Sequence, residues 1–447
     1  MELWDHQKTT LELMQREEKT FDASDPGTGK TYVALKAFND RRLAGSKSML
    51  VLAPKSLLQP AWGNDISKFF PELTYSISNA SNRSDAFEVD ADIYITNIDA
   101  TKWLAKQPPT FFDIFDTLCI DEMSYYKHRT SARSKAANKI KKFFTYRHGM
   151  TGTPHSNSVT DIWHQFFILD DGDRLGTNFF AFRNSVCTPK QVGPSPRMVK
   201  WKDKEGAEEA IASLIGDITS RNLFENCMDI PPNHTYTVPY TLSRSNLRQY
   251  NELLHNAILQ LESSSVTAVN EAVLRNKLLQ VAAGVVYADG ESTILDTGRA
   301  ELVIDLVEKR KHSVVFFNWT HQKEQLAAEA HKRGVTYEII DGSVPNKRRA
   351  EIVEAYQAGF FQTLFLHPKT GAHGLTLTKG TTTIWVSPIY EPDLLKQGMH
   401  RIYRGGQTEV TETILIEAKN TVEQKVYAIL DRKQTSMVNL LGLLQGN

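Results

Sequence analysis

Ala23-Ser24-Asp25-Pro26-Gly27-Thr28-Gly29-Lys30-Thr31 ends in Gly-x-Gly-Lys-Thr just ahead of a helical run. A turn of this kind is built to hold nucleotide phosphates. Gly27 and Gly29 let the backbone fold tightly enough for its N–H groups to face an anion. Lys30 is placed to reach the β- and γ-phosphates, and the Thr31 hydroxyl to ligate Mg²⁺. From Tyr32 to Asn39 the chain reads as helix, with its positive N-terminal dipole turned to the same anion. ATP and Mg²⁺ are the expected cofactors, and Pro26, Gly27, Thr28, Gly29, Lys30 and Thr31 the expected nucleotide contacts. Ser24 stands where the strict pattern has Gly.

Outward from this turn, short apolar runs rich in β-branched residues alternate with helical patterns, which predicts parallel α/β sheets. One set comprises 48–53, 93–96, 117–120 and 149–151; a second comprises 313–317, 337–340, 363–366, 383–386 and 412–416. Two sets predict two α/β lobes. Between them, from Asp161 to Asp296, the pattern reads as mostly helical, and Pro231-Pro232 marks the boundary. The expected division is 1–228, with a helical insertion near 161–228, and 229–447, with a helical protrusion near 240–295.

The 447 residues suffice for two or three domains. Lys plus Arg equals Asp plus Glu, 52 each, so a nucleic-acid site has to be a local basic surface rather than a global excess. Cys119, Cys187 and Cys227 are far apart, which argues against zinc and against a disulfide scaffold and fits a reducing compartment. Met1 to Lys19 has no apolar signal-like core and no run approaches a membrane span. The expectation is a cytoplasmic protein, without a secretion signal or membrane partner; the bacterial or phage-infected cell is what the resemblance given below implies.

Leu118-Cys119-Ile120-Asp121-Glu122 is an apolar strand ending in adjacent carboxylates, about ninety residues beyond Lys30. Asp121 can hold the Mg²⁺ shell while Glu122 orients or deprotonates an attacking water.

With these two elements in place the chain resembles the superfamily-two helicases and translocases, and within them the Swi/Snf-like group of minimal phage or bacterial type. The likeness is ordered along nearly the whole sequence. Leu3-Trp4-Asp5-His6-Gln7 resembles the opening element, implying that Gln7 reads the adenine. Val51 to Leu58 followed by Trp62 is similar to a motif that touches the nucleic-acid backbone, and Thr96-Asn97 to the next such contact. Met150-Thr151-Gly152-Thr153-Pro154 with Asn157 matches the element linking hydrolysis to lobe movement, which assigns coupling to Thr151, Gly152 and Thr153. In the second half, Val314 to Trp319 resembles the opening strand, and Thr370-Gly371-Ala372-His373-Gly374-Leu375-Thr376-Leu377 a motif contacting both DNA and nucleotide. Gln397-Gly398-Met399-His400-Arg401-Ile402-Tyr403-Arg404-Gly405-Gly406-Gln407 matches the closing Gln-x-x-x-Arg-x-x-Arg-x-Gly-Gln pattern.

The resemblance implies two RecA-like lobes and a DNA translocase or helicase acting on duplex or branched DNA, in fork remodelling or branch migration. Its catalytic residues would be Lys30, Asp121, Glu122, Arg401 and Arg404, the arginines pointing from one helix face to stabilise the transferring phosphoryl group. Gln7, Gly374 and Gln397 would join the nucleotide site. Pro54, Lys55, Ser56, Asn97, Trp319, Thr370 and Gly371 would contact DNA phosphates. An RNA helicase, or a nucleic-acid-binding scaffold with a vestigial ATP site, are the alternatives. Ser24 for Gly, Ser124 for His, Asn222 for Arg and His400 for Asp depart from the pattern without removing a catalytic group. Two basic runs, Lys127 to Lys142 and Lys347-Arg348-Arg349, read as solvated helix faces.

Overall fold

A computed structural model describes residues 2–155, 158–192, 198–227, 229–263, 268–288, 291–371 and 375–443. The chain separates into two compact units, the first comprising the described residues up to Asp229 together with those from Lys433 onward, the second Ile230–Arg432. Each is built on one parallel sheet, so the α/β class read from the alternating pattern is what the structure shows.

The first unit contains β1 (Lys19–Asp22), β2 (Ser48–Ala53), β3 (Tyr75–Ser78), β4 (Ile93–Asn97), β5 (Phe115–Asp121) and β6 (Tyr146–Met150). An antiparallel hairpin, β7 (Cys187–Gln191) with β8 (Val199–Asp203), precedes the short β9 (Thr219–Ser220). Sheet order is β3-β4-β2-β5-β6-β1-β9, and every neighbouring pair is parallel. Both faces are covered, as a parallel sheet requires. On β2, Leu50 and Leu52 enter one buried cluster with Leu118 and Ile120, while Met49, Val51 and Ala53 enter another with Val33, Ala34 and Phe38 of the helix Lys30–Leu43.

The second unit contains β10 (Asn233–Tyr240), a hairpin of β11 (Val285–Ala288) and β12 (Glu291–Ile294), then β13 (Ser313–Phe316), β14 (Tyr337–Ile340), β15 (Thr363–Leu366), β16 (Thr382–Trp385) and β17 (Thr411–Ala418). Its order is β10-β17-β16-β13-β15-β14, again parallel throughout. Alternate β13 residues face opposite cores: Val315 packs with Ile384 and Ile414, Val314 and Phe316 with Leu364 and Trp385.

The stretch expected to be mostly helical is mixed. It holds the helices Asp161–Asp170, Ala207–Ile215, Arg244–Ser263 and Ala268–Ala282, but also both hairpins and β10. Period-two alternation in β8, half-buried Val199, Trp201 and Asp203 against exposed Lys200 and Lys202, is too short to outweigh the helical pattern around it.

Candidate nucleotide site

In the first unit the side chains expected at the site lie at or just beyond one hydrogen-bonded row. Asp121 of β5 pairs with Met150 of β6, Met150 with Asp22 of β1, and Asp22 with Ser220 of β9. The residues just past that row are Glu122, Thr151, Ala23 and Arg221. Ligands of open α/β sheets sit at these carboxyl ends.

After β1 the chain makes the phosphate loop. Gly27 and Gly29 adopt φ of 90° and 84°, which a side chain would resist, and Lys30 begins the helix Lys30–Leu43 with Thr31 in its first turn. Lys30 Nζ donates to the carbonyls of Ser24 at 2.7 Å and Asp25 at 2.9 Å, so its ammonium lies inside the loop. Gln7 is buried beside it. Its Nε2 donates to Thr28 O at 3.3 Å and its Oε1 accepts from Trp4 N, while His6 Nε2 stands 2.9 Å from the same Thr28 carbonyl. A Cβ on Gly29 would lie 2.3 Å from Gln7 Nε2, so a side chain there would have to displace the Gln7 amide.

The carboxylates follow β5. Asp121 is buried, and burial pushes its carboxyl up; the Trp62 indole, the Lys30 ammonium and the Glu122 backbone N–H each pull it back. Trp62 Nε1 donates to Asp121 Oδ2 at 3.0 Å. Asp121 and the Thr31 hydroxyl are hard oxygen donors of the kind Mg²⁺ selects, so their chemistry fits that ion. Glu122 takes the left-handed conformation, φ 59°, uncommon for a non-glycine residue. Its Oε2 accepts from Thr151 Oγ1 at 3.1 Å. Thr151 Oγ1 also accepts from Thr153 N at 3.2 Å, and a Cβ on Gly152 would touch Pro26 at 3.0 Å. The Thr-Gly-Thr element therefore touches both the second carboxylate and the phosphate loop.

A third element was not anticipated as part of this site. Arg221 Nη1 donates to Ala23 O at 2.7 Å and to Asp25 Oδ1 at 2.8 Å, a buried ion pair. Asp25 Oδ2 accepts from Phe224 N, and Asn222 donates to Ser24 Oγ through both its backbone N and its Nδ2, each at 3.0 Å. Trp62 was read with a DNA-contacting motif; it is instead fully buried against Asp121. Of the residues expected at DNA in this unit, Lys55 is exposed, Ser56 and Asn97 are half-buried and Pro54 is buried, all just beyond β2 or at the end of β4.

In the second unit, Arg401 and Arg404 do not share a helix face. The helix Pro392–Met399 ends before them, and the turn that follows closes through Gly406 at φ 93°. They converge nonetheless: Arg401 Nη1 and Arg404 Nη1 donate to the same Leu375 carbonyl at 3.2 and 3.0 Å, and Arg401 Nε to Gln397 O at 2.8 Å. Gln407, the last residue of the motif, is buried; its Nε2 donates to the carbonyls of Thr378, Gly380 and Ile402, so it pins the turn. Trp319 is half-buried and stacks on His321, Thr370 is half-buried and Gly371 is buried against Leu366. Gly374 and Asn157 lie outside the described residues. Among the described residues, no helix is long and apolar enough to cross a membrane.

Two family models match the chain. An SNF2-related domain matches residues 6–283, and a helicase conserved C-terminal domain matches 298–406. Protein p41 of Acyrthosiphon pisum secondary endosymbiont phage 1 is 25% identical over 425 residues, covering 90% of this chain and 89% of its own. The DNA annealing helicase and endonuclease ZRANB3 of Mus musculus is 23% identical over 440 residues, 94% of this chain but only 39% of the mouse protein. A solved SWI2/SNF2 ATPase core of Sulfolobus solfataricus, in complex with dsDNA, aligns over 97% of this chain and 92% of that one at 20% identity, with a TM-score of 0.45. With the SNF2-related match alone spanning more than half of its length, the chain belongs to the SNF2-related family of ATP-dependent helicases and translocases.

Proposed function

We propose that this protein is a motor that uses ATP hydrolysis to travel along duplex DNA and, on branched DNA, to move the branch point. Residues 1–228 would be the nucleotide-binding lobe and 229–447 the second lobe. The observation that carries the reading is the convergence, at the carboxyl ends of β1, β5 and β6, of Lys30, Asp121 and Glu122, with Glu122 joined to Thr151. The annealing activity in the ZRANB3 name supports branched substrates.

Bound MgATP would supply the scissile phosphoanhydride and the charge that organises it. The chain's own residues then have distinct work. Lys30 leaves the Ser24 and Asp25 carbonyls for the phosphates, and the N–H groups around Gly27 and Gly29 orient them. Asp121, whose ionised form the Trp62 indole donor favours, would hold Mg²⁺ through oxygen. Glu122 accepts the proton of the attacking water; its bond to Thr151 passes the state of that carboxylate to the 151–153 segment. Arg401 and Arg404 supply positive charge to the transferring group.

The test is ATP hydrolysis by wild type and Glu122→Gln, alone and with single-stranded DNA, duplex DNA, four-way junctions or RNA at fixed salt. Stimulation by duplex or junction DNA that is lost in the variant is the expected result. Stimulation by RNA only, or wild-type turnover in Glu122→Gln, would overturn the proposal.

A further inference from the structure

The β7–β8 hairpin carries charge that its own fold does not use. Cross-strand register places Lys190 directly opposite Lys200, and Thr188 opposite Lys202. Alternation puts these four on one face, and all four are exposed. Like charges directly opposed on a two-stranded ribbon are destabilising, and an isolated hairpin has little stability to spare. Among the described residues, none of the three lysines makes an ion pair with a carboxylate. The one acidic residue on β8, Asp203, turns away: it accepts from Ser158 Oγ at 2.6 Å and from Val159 N at 3.3 Å.

The opposite face anchors the ribbon. Arg183 lies 3.7 Å from the centroid of the Trp201 ring, and Cys187 Sγ donates to Asp203. Ser158 and Val159 follow the Thr151–Thr153 element by only a few residues, so the ribbon's base is bonded to the segment just beyond the one that touches Glu122. Alternate residues on a strand are about 6.7 Å apart, so Lys200 and Lys202 present two separate ammonium groups from one face.

We propose that Lys190, Lys200 and Lys202 form a phosphate-binding ribbon that grips the DNA backbone, a contact additional to those expected just beyond β2 and at the end of β4. The assignment rests on the proposed action on DNA. It makes the hairpin a grip whose base is bonded beside the coupling element, and it explains why a face of like charges persists on so small a ribbon: bound phosphates relieve the repulsion.

The experiment measures binding of labelled duplex DNA across a salt series, together with the DNA concentration giving half-maximal ATPase stimulation. For K190A/K200A/K202A the expected result is weaker binding by roughly 10- to 100-fold at low salt, with the slope of log K against log salt shallower by about 2 to 3. K190R/K200R/K202R should retain wild-type affinity, because phosphate responds to the charge. A second variant keeps the test independent of folding: Thr188→Glu places a carboxylate opposite Lys202, and should raise the melting temperature while weakening DNA binding. Unchanged affinity and slope in both the triple alanine variant and Thr188→Glu would overturn the inference, as would a loss confined to RNA. Failure of wild type to bind or respond to any DNA would instead overturn the proposed function, and this inference with it.

Discussion

Ser24 and Asn222 are bonded to each other twice, through the Asn222 backbone N–H and its side-chain amide, both at 3.0 Å from Ser24 Oγ. Each departs from the family pattern by itself; together they form one substitution. A hydroxyl at 24 supplies the acceptor that an amide at 222 needs. The same Asn222 amide reaches Thr10 Oγ1 and Ser220 Oγ, so the pair ties the phosphate loop to β9 and the first helix. Ser24→Ala and Asn222→Ala should each destabilise by about 1 kcal/mol, with a coupling of similar size. A urea-unfolding double-mutant cycle checks this, and additive losses would show that the two positions are independent.

Trp62→Phe keeps the buried ring but removes the donor to Asp121. With burial then less opposed, the Asp121 carboxyl moves further up, and fewer molecules hold the ionised form that the proposed metal role requires. The acid limb of the kcat profile should shift to higher pH, with about a tenfold loss at neutral pH. Equal profiles for the two proteins would remove Trp62 from the site.

Thr151→Val removes the hydroxyl that Glu122 accepts from, while keeping shape. Its ATP KM should stay near wild type while DNA-stimulated kcat falls by ~10-fold, the loss of one hydrogen bond to a charged group. A raised KM with unchanged kcat would show that Thr151 serves binding instead.

Gly398→Ala should destabilise the second unit by about 1–3 kcal/mol through overpacking. A Cβ there would lie 2.6 Å from Trp385 Cζ2 and 3.1 Å from Phe316 Cζ. Thermal unfolding of the variant gives the answer, and a wild-type melting temperature would mean that these rings can yield.

Acid should act first through histidines. His148 sits between Arg41, which donates to its Nε2, and Thr20, so its Nδ1 carries the proton and burial holds it neutral. His155 and His164 are pushed down to about 4, mainly by burial. The unfolded chain protonates such groups near pH 6.5 and the folded one does not. Their contribution is therefore full above that value and is lost as pH falls from about 6.5 towards 4. Asp171, held down to about 2 by Arg147 and Lys141 against the opposing effect of burial, gives way only at lower pH. Denaturation midpoints measured between pH 7 and 4 should fall steadily, and His164→Gln should flatten part of that slope.

Local chemistry made much of this legible. Glycines at positive φ, a Lys-Thr pair opening a helix and carboxylates closing an apolar strand each leave a signature within a few residues. The meeting of Arg221 and Asn222 with Asp25 and Ser24 left none, because it spans nearly two hundred residues and β9 has only two residues, too short for any period to show. The spacing of Arg401 and Arg404 matched a helix, yet that helix ends at Met399; their meeting point, Leu375 O, lies on a different segment. The hairpin's lysines were diluted by a balanced total charge, and only strand register reveals that two of them face each other.

Lys30, holding two carbonyls of its own loop, makes nucleotide uptake an exchange of partners. Whatever heat the phosphates release on meeting the ammonium is offset by the two bonds given up at Ser24 and Asp25. Calorimetry on this protein should therefore record a binding enthalpy smaller than the number of phosphate contacts suggests. On the proposed action, the same exchange would free the Ser24 and Asp25 carbonyls as ATP arrives, so the loop expected to receive the fuel would give up two of its own bonds to do so.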